Sequence, residues 1–161
     1  MSPRAEPTNR DEIVGKLFKL FRSGGYEGVS VGDISKATGL GKSSLYHHFP
    51  GGKADMAAAV VDFARAWLRQ RIFEPLATDA PLAVRIDGML KAAHELYGGG
   101  TAPCLIASMM LSNEDKPGGV DVGQLMNEWI AALSSALQEN GLAKADAADR
   151  ELAAGQDRGP L

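Results

Sequence analysis

Six side chains near the N-terminus share one chemistry: Lys42, Ser43, Ser44, Tyr46, His47 and His48, within SVGDISKATGLGKSSLYHHFPGGK at residues 30–53. All are hydrogen-bond donors and none is acidic. If Leu45 turns inward, a short helix over Lys42 to Phe49 carries these six on its outer face. Phosphates only accept hydrogen bonds, so a helix approaching a nucleic-acid duplex needs this inventory. Other chemistries fit less well. Adjacent histidines on a helix point apart and no third ligand accompanies them, so no metal is expected. Ser43 and Ser44 beside His47 lack the strand-to-helix elbow and oxyanion arrangement of an acyl-transfer site. His94 stands alone and reads as a polar spot in the core. Cys104, after Pro103, has no activating partner and reads as an inert buried thiol. Gly98 to Gly100 lacks the surroundings of a phosphate-binding loop. No catalytic constellation and no cofactor site emerges, so an enzyme is not expected.

The elements that must hold the donor face are local and well signalled. Ser30-Val31-Gly32-Asp33 is a helix cap with an acid at the third position. The helix it starts runs through Ile34 and Ala37 to Gly39. Thr38-Gly39-Leu40-Gly41 forms a tight turn, in which Gly39 takes the left-handed conformation. Leu40 plugs the angle between the two helices, and Ile34, Ala37 and Leu45 form a small core. Pro50 ends the third helix. This is helix-turn-helix geometry. Ahead of it, a first helix spans about Arg10 to Arg22, with Ile13, Val14, Leu17, Phe18 and Phe21 on one face. Asn9 and Glu12 make its capping box, and Gly24-Gly25 stops it.

The apolar spacing stays helical along the rest of the chain, and no β pattern or repeat is present. A fourth helix is predicted from Lys53 to Phe73, with Met56, Val60, Phe63, Ala64, Trp67, Leu68 and Ile72 inward. A fifth opens at Pro81 and buries Leu82, Ile86, Met89, Leu90, Ala93 and Tyr97. A sixth runs from Pro103 through Leu111. A seventh covers Val120 to Glu139, with Leu125, Met126, Trp129, Leu133 and Leu137 inward. An eighth is expected over Lys144 to Ala154, and the last seven residues read as frayed. The fold class is therefore all-α: a three-helix head over residues 1–52 and a helical body over 53–161.

Charge agrees with that division. Residues 1–53 carry eight Lys/Arg and five Asp/Glu, a balance of +3; residues 54–161 carry nine and fifteen, a balance of −6. A basic head on an acidic body suggests that the head alone meets a polyanion. No segment has the roughly 18 uncharged apolar residues of a membrane span. The polar N-terminus has no apolar signal region. A single cysteine suits a reducing cytoplasm.

The head resembles the DNA-binding region of the TetR family of one-component regulators. The matching pieces are Phe21, Gly25-Tyr26, Ser30-Val31, Asp33-Ile34, Gly39-Leu40, Leu45-Tyr46-His47-His48-Phe49 and Lys53. The run from Tyr46 to Lys53 is similar to the LmrA/YxaF-like branch. The resemblance implies a third helix lying in the major groove of operator DNA. It implies base-edge contacts from Lys42, Ser43 and Ser44, and phosphate contacts from Tyr46, His47 and Lys53, with Ser30 in the same DNA-facing set. Gly41 departs from the Ser or Thr of many relatives, yet glycine caps only slightly less well than serine.

The resemblance also implies an effector pocket among the fourth to seventh helices, and a ligand that swings the fourth helix to release a repressor from DNA. Candidate lining residues are Phe63, Trp67, Met89, His94, Cys104, Met109, Met110, Met126 and Trp129, which would suit a small lipophilic or aromatic effector. Taken singly, each of them is also explained by core packing. The family implies a homodimer built on two long C-terminal helices. Here Ala143 to Ala154 is mainly Ala with charges and no ninth helix follows, so a weak or differently built dimer is expected. The alternative reading is a shortened helical interaction module that no longer grips operators.

Overall fold

The computed structural model describes residues 9–111, 116, 119 and 121–141, and these form an all-α protein. Helix α1 spans Arg10–Gly28, α2 Val31–Thr38, α3 Lys42–His48 and α4 Lys53–Leu68. Helix α4 continues through a π-helical turn, Arg69–Phe73, and a last α turn, Glu74–Leu76. Then come α5 (Leu82–Leu96), a 3₁₀ turn (Gly98–Gly100), α6 (Leu105–Met110) and α7 (Gly123–Glu139). The eighth predicted helix, the frayed tail and most of the loop before α7 lie outside the described residues.

Helix α1 is longer than its apolar period predicts. Gly25 breaks it with φ 69° and ψ 179°, and the chain then completes another turn to Gly28. This break lets α1 lie close against α6: a Cβ on Gly25 would stand 2.7 Å from the Ser108 carbonyl oxygen. The contact is stitched by Ser108 Oγ, which donates to the Arg22 carbonyl at 2.7 Å. Arg22 Nη1 donates to the Leu96 carbonyl at the end of α5, at 3.0 Å. Helix α1 thus packs on α2, α4 and α6 at once. One continuous core runs from Ile13, Leu17 and Phe21 through Met56 and Val60 to Met109 and Leu125.

Four predicted inward positions are exposed instead: Ala37, Phe63, Leu90 and Met126. Ala37 is exposed, and Thr38 is buried in its place. A buried hydroxyl needs a partner, and Thr38 Oγ1 donates to the Ile34 carbonyl at 2.7 Å. Leu90 is exposed because α5 turns Arg85, Met89 and Ala92 inward, one position around the helix from the predicted stripe. Arg85 is tolerated there because Nη1 donates to the Leu76 carbonyl at 2.8 Å and lies 3.3 Å from Glu139 on α7. Met126 is exposed next to the fully buried Leu125. No helix among the described residues is long and apolar enough to cross a membrane.

Candidate nucleic-acid interface

Two short helices are held at a fixed crossing by hydrogen bonds that the sequence itself encodes. Ser30 caps α2: its Oγ accepts from Asp33 N at 3.1 Å, and Asp33 Oδ2 accepts from Ser30 N at 2.9 Å. These bonds favour the carboxylate. The Ser30 hydroxyl, then its backbone N–H and the charge of Lys36 hold Asp33 below the usual carboxylate value. At the other end Gly39, with φ 74°, donates to the Ser35 carbonyl at 2.9 Å. Ser35 Oγ donates to the Leu40 carbonyl at 2.5 Å, and Leu40 N donates to Thr38 Oγ1 at 3.3 Å. The turn is therefore clamped on both sides, and half-buried Leu40 packs on the core beside Ile34 and Leu45.

This clamp fixes which face of α3 looks outward. Leu45 is fully buried and Phe49 anchors the helix end. Lys42, Ser43, Ser44, Tyr46 and His47 are all exposed, as is Ser30; His48 is half-buried against Phe49. Ser30 thus has its hydroxyl engaged in the α2 cap, while the α3 donors face outward. Tyr46 does a second job. Its ring covers Gly52, whose φ is 69°, and a Cβ there would lie 3.2 Å from Tyr46 Cε1. The turn into α4 is closed by Gly51 N, which donates to Asp55 Oδ2 at 2.6 Å.

Lys53, the first residue of α4, holds its Nζ 4.5 Å above the Tyr26 ring. A cation held on an aromatic face is oriented rather than free to sweep. The guanidinium of Arg10 lies 5.1 Å over Phe49, at the other flank of α3. The roles of Arg10 and Tyr26 were not evident from the sequence, because each is defined by a partner distant along the chain.

A separate cavity of about 340 Å³ opens between the head and the body. Of the nine candidate pocket residues it brings together Phe63, Trp67, Cys104 and Trp129. The other five are not on it. Met89 and Met109 are buried in the core instead. His94 is exposed, a correction to its reading as a core residue; it lies two positions after buried Ala92, about 200° around an ideal helix. Met110 and Met126 are exposed, each one step from a fully buried neighbour, Met109 and Leu125. What the sequence did not reveal is the contribution of the head: Gly15, Phe18, Lys19 and Arg22 of α1 form one wall. Phe18 meets Phe63 edge-on at 5.6 Å between ring centroids, joining that wall to α4. On the far side the Tyr97 hydroxyl lies 3.5 Å from Cys104 Sγ. Burial first, and then this thiol contact, push Tyr97 up to about 12. Among the described residues no cluster of three or more His, Cys, Asp or Glu is disposed to hold a metal.

A clamped helix-turn-helix presenting an exposed donor face, mounted on a helical body, defines a DNA-binding transcriptional regulator. Residues 13–60 match the family model described as "Bacterial regulatory proteins, tetR family". The HTH-type transcriptional regulator LmrA of Bacillus subtilis (strain 168) is 28% identical over 145 residues, covering 86% of this chain and 76% of LmrA. The HTH-type regulator YxaF of the same organism is 24% identical over 143 residues, covering 86% of this chain and 75% of YxaF. The crystal structure of the TetR family transcriptional regulator PfmR from Thermus thermophilus superposes with a TM-score of 0.58 at 26% identity, over 84% of this chain and 76% of PfmR. The head is therefore a DNA-binding domain of the TetR family, and over most of its length the chain is similar to the branch that includes LmrA and YxaF.

Proposed function

We propose that this regulator is a ligand-responsive repressor that reads operator DNA with α3 and is released when a small lipophilic or aromatic molecule fills the cavity between head and body. The observation that carries the DNA-reading half is the outward disposition of Lys42, Ser43, Ser44, Tyr46 and His47 around a buried Leu45. In this reading residues 1–52 act as the operator head and 53–161 as the regulatory body. Lys42, Ser43 and Ser44 approach base edges. Tyr46, His47 and Lys53 bind phosphates, Lys53 from the N-terminus of α4, where free backbone N–H groups also favour an anion. Ser30 lies within the same footprint but contributes mainly through its cap.

The cavity supports the sensing half, because five aromatic rings, Phe18, Phe63, Trp67, Tyr97 and Trp129, line it. Repression follows sterically: a protein seated across an operator excludes polymerase from the same duplex. The protein acts in the cytoplasm, where its DNA is, and as a weakly held or differently built dimer, since one head spans too little duplex for useful specificity. Dimeric modules of this kind read half-sites about 34 Å apart or a multiple of it.

Electrophoretic mobility shift with the DNA flanking the chain's own gene tests the reading. A sequence-preferring complex is expected, with affinity falling steeply with salt because phosphate contacts release counterions. Equal affinity for flanking and scrambled DNA would overturn it, and would favour the shortened interaction module.

A further inference from the structure

We propose that Arg22 is the residue that recognises the cavity's occupant, and that it selects flat aromatic molecules bearing an anionic group, such as a carboxylate, sulfonate or phenolate. The inference rests on the reading of the cavity as a ligand site and names the chemistry of that ligand. Arg22 stands in the cavity wall with its guanidinium carbon 5.3 Å over the Phe18 ring. A guanidinium has five N–H donors. Arg22 makes one hydrogen bond to a described residue, from Nη1 to the Leu96 carbonyl, and its Nε is buried without a partner. A cation so placed, with donors left over in an apolar recess, is stabilised by an anionic acceptor.

The other charges of the wall favour the same sign of ligand. Lys19 adds a second cation, and Glu95, the acid of the lining, is already paired with Arg71. The remaining lining is mostly apolar and aromatic, which suits a planar ring system.

Position gives this recognition a consequence. Arg22 belongs to α1, the helix that carries Ile13, Leu17 and Phe21 of the head core. Its backbone carbonyl is held by Ser108 of α6, and its side chain by the end of α5. An anionic occupant competes with the Leu96 carbonyl for the guanidinium and so loosens the hook between head and body. Recognition and response then reside in one side chain.

Two dyes with the same ring system separate the possibilities: 1-anilinonaphthalene-8-sulfonate, which is anionic, and N-phenyl-1-naphthylamine, which lacks the sulfonate. Fluorescence titration of the full chain is expected to show the sulfonate bound about tenfold or more tighter, the scale of a charge-assisted hydrogen bond. Arg22→Gln removes this preference and leaves the neutral dye within about twofold, while Arg22→Lys keeps part of it. Trp67→Ala weakens both dyes. If Arg22→Gln leaves the ratio of the two affinities unchanged while Trp67→Ala still weakens both, the assignment of Arg22 is overturned and the ligand cavity stands. If Trp67→Ala affects neither dye, or neither binds, both the cavity reading and this inference fall. Thermal melts monitored by circular dichroism establish that each variant is folded. Should Arg22→Gln not fold, Arg22→Met takes its place under the same criteria.

Discussion

Gly25→Ala is the sharpest perturbation of the joint between head and body. At φ 69° and ψ 179° the backbone occupies a region used almost only by glycine, and forcing an L side chain into it costs on the order of 1–3 kcal/mol. The new Cβ would also lie 2.7 Å from the Ser108 carbonyl oxygen. That oxygen belongs to the backbone of α6 and cannot rotate away, so α1 and α6 must separate by several tenths of an ångström, with an overpacking penalty of about 1–3 kcal/mol. A combined loss of about 3 kcal/mol corresponds to roughly 100-fold in the folded-to-unfolded ratio. For a chain of this size it lowers Tm by roughly 6–12 °C. Gly88→Ala on α5 is the control: nothing lies within 4 Å of its Cβ position, and replacing a helical glycine should stabilise by up to about 1 kcal/mol. Differential scanning calorimetry of the two variants gives the answer. A Gly25→Ala protein melting within about 2 °C of the parent, on the same side as Gly88→Ala, would refute the claim that this close approach locks the head to the body.

Lys53→Ala is expected to weaken binding to all DNA sequences alike and to reduce the salt slope by about one, whereas Lys42→Ala should change which sequences are preferred; competition mobility shifts distinguish the two. Ser30→Ala removes the cap of α2 and should destabilise by about 1 kcal/mol, read as a shift of the urea midpoint. Because Ser30 holds Asp33 below its ordinary value of 3.8, the stabilisation this gives is present above that value and is lost as pH falls through the lowered one. Acid unfolding curves of Ser30→Ala should lack that component. Tyr97 has the opposite sign: its value is raised from 10.0 to about 12, so its contribution is complete below pH 10 and is lost as pH rises towards 12. In an absorbance titration of the three tyrosines, Tyr97→Phe should remove the step near pH 12.

The head was readable because its signals are local. Ser30 and Asp33 are three residues apart, Gly39 sits in its own turn, and Pro50 stops α3 whatever packs around it. These fix the crossing of α2 and α3 before any distant contact forms. The body was readable as helices but not as a site. Periodicity gives the faces of each helix, yet not which helix each face meets. Met109 and Met110 are adjacent, and only the seating of α6 against α1 decides that the first is buried. Arg85 looks like a solvent-facing charge on an apolar stripe, yet it is enclosed because the Leu76 carbonyl and Glu139 arrive from elsewhere. Arg22 shows the same limit. Its partners, Leu96 and Ser108, lie 74 and 86 residues away, so no spacing rule could have marked it as a wall of the cavity.

Under the proposed ligand response, the geometry of that wall decides how an effector reaches the head. Helix α4 is the usual candidate for a lever, but beyond Leu68 it passes into the π-helical turn Arg69–Phe73. Such an interruption is a natural hinge, so force applied near Trp67 is less well carried past it than towards Lys53. Helix α1 offers a second and shorter route. Phe18 of α1 and Phe63 of α4 touch across the cavity rim, so an occupant that fills the space wedges between two helices that both enter the head core, through Phe21 and Met56. No long chain of intermediates is needed to carry the signal, because the ligand sits at the joint itself. The sign of the response then depends on which helix yields. If Arg22 is drawn from Leu96, α1 moves relative to the body and carries α2 and α3 with it, which changes the outward direction of Ser43, Tyr46 and His47. A cavity confined within the body would have to push the head through α4 alone.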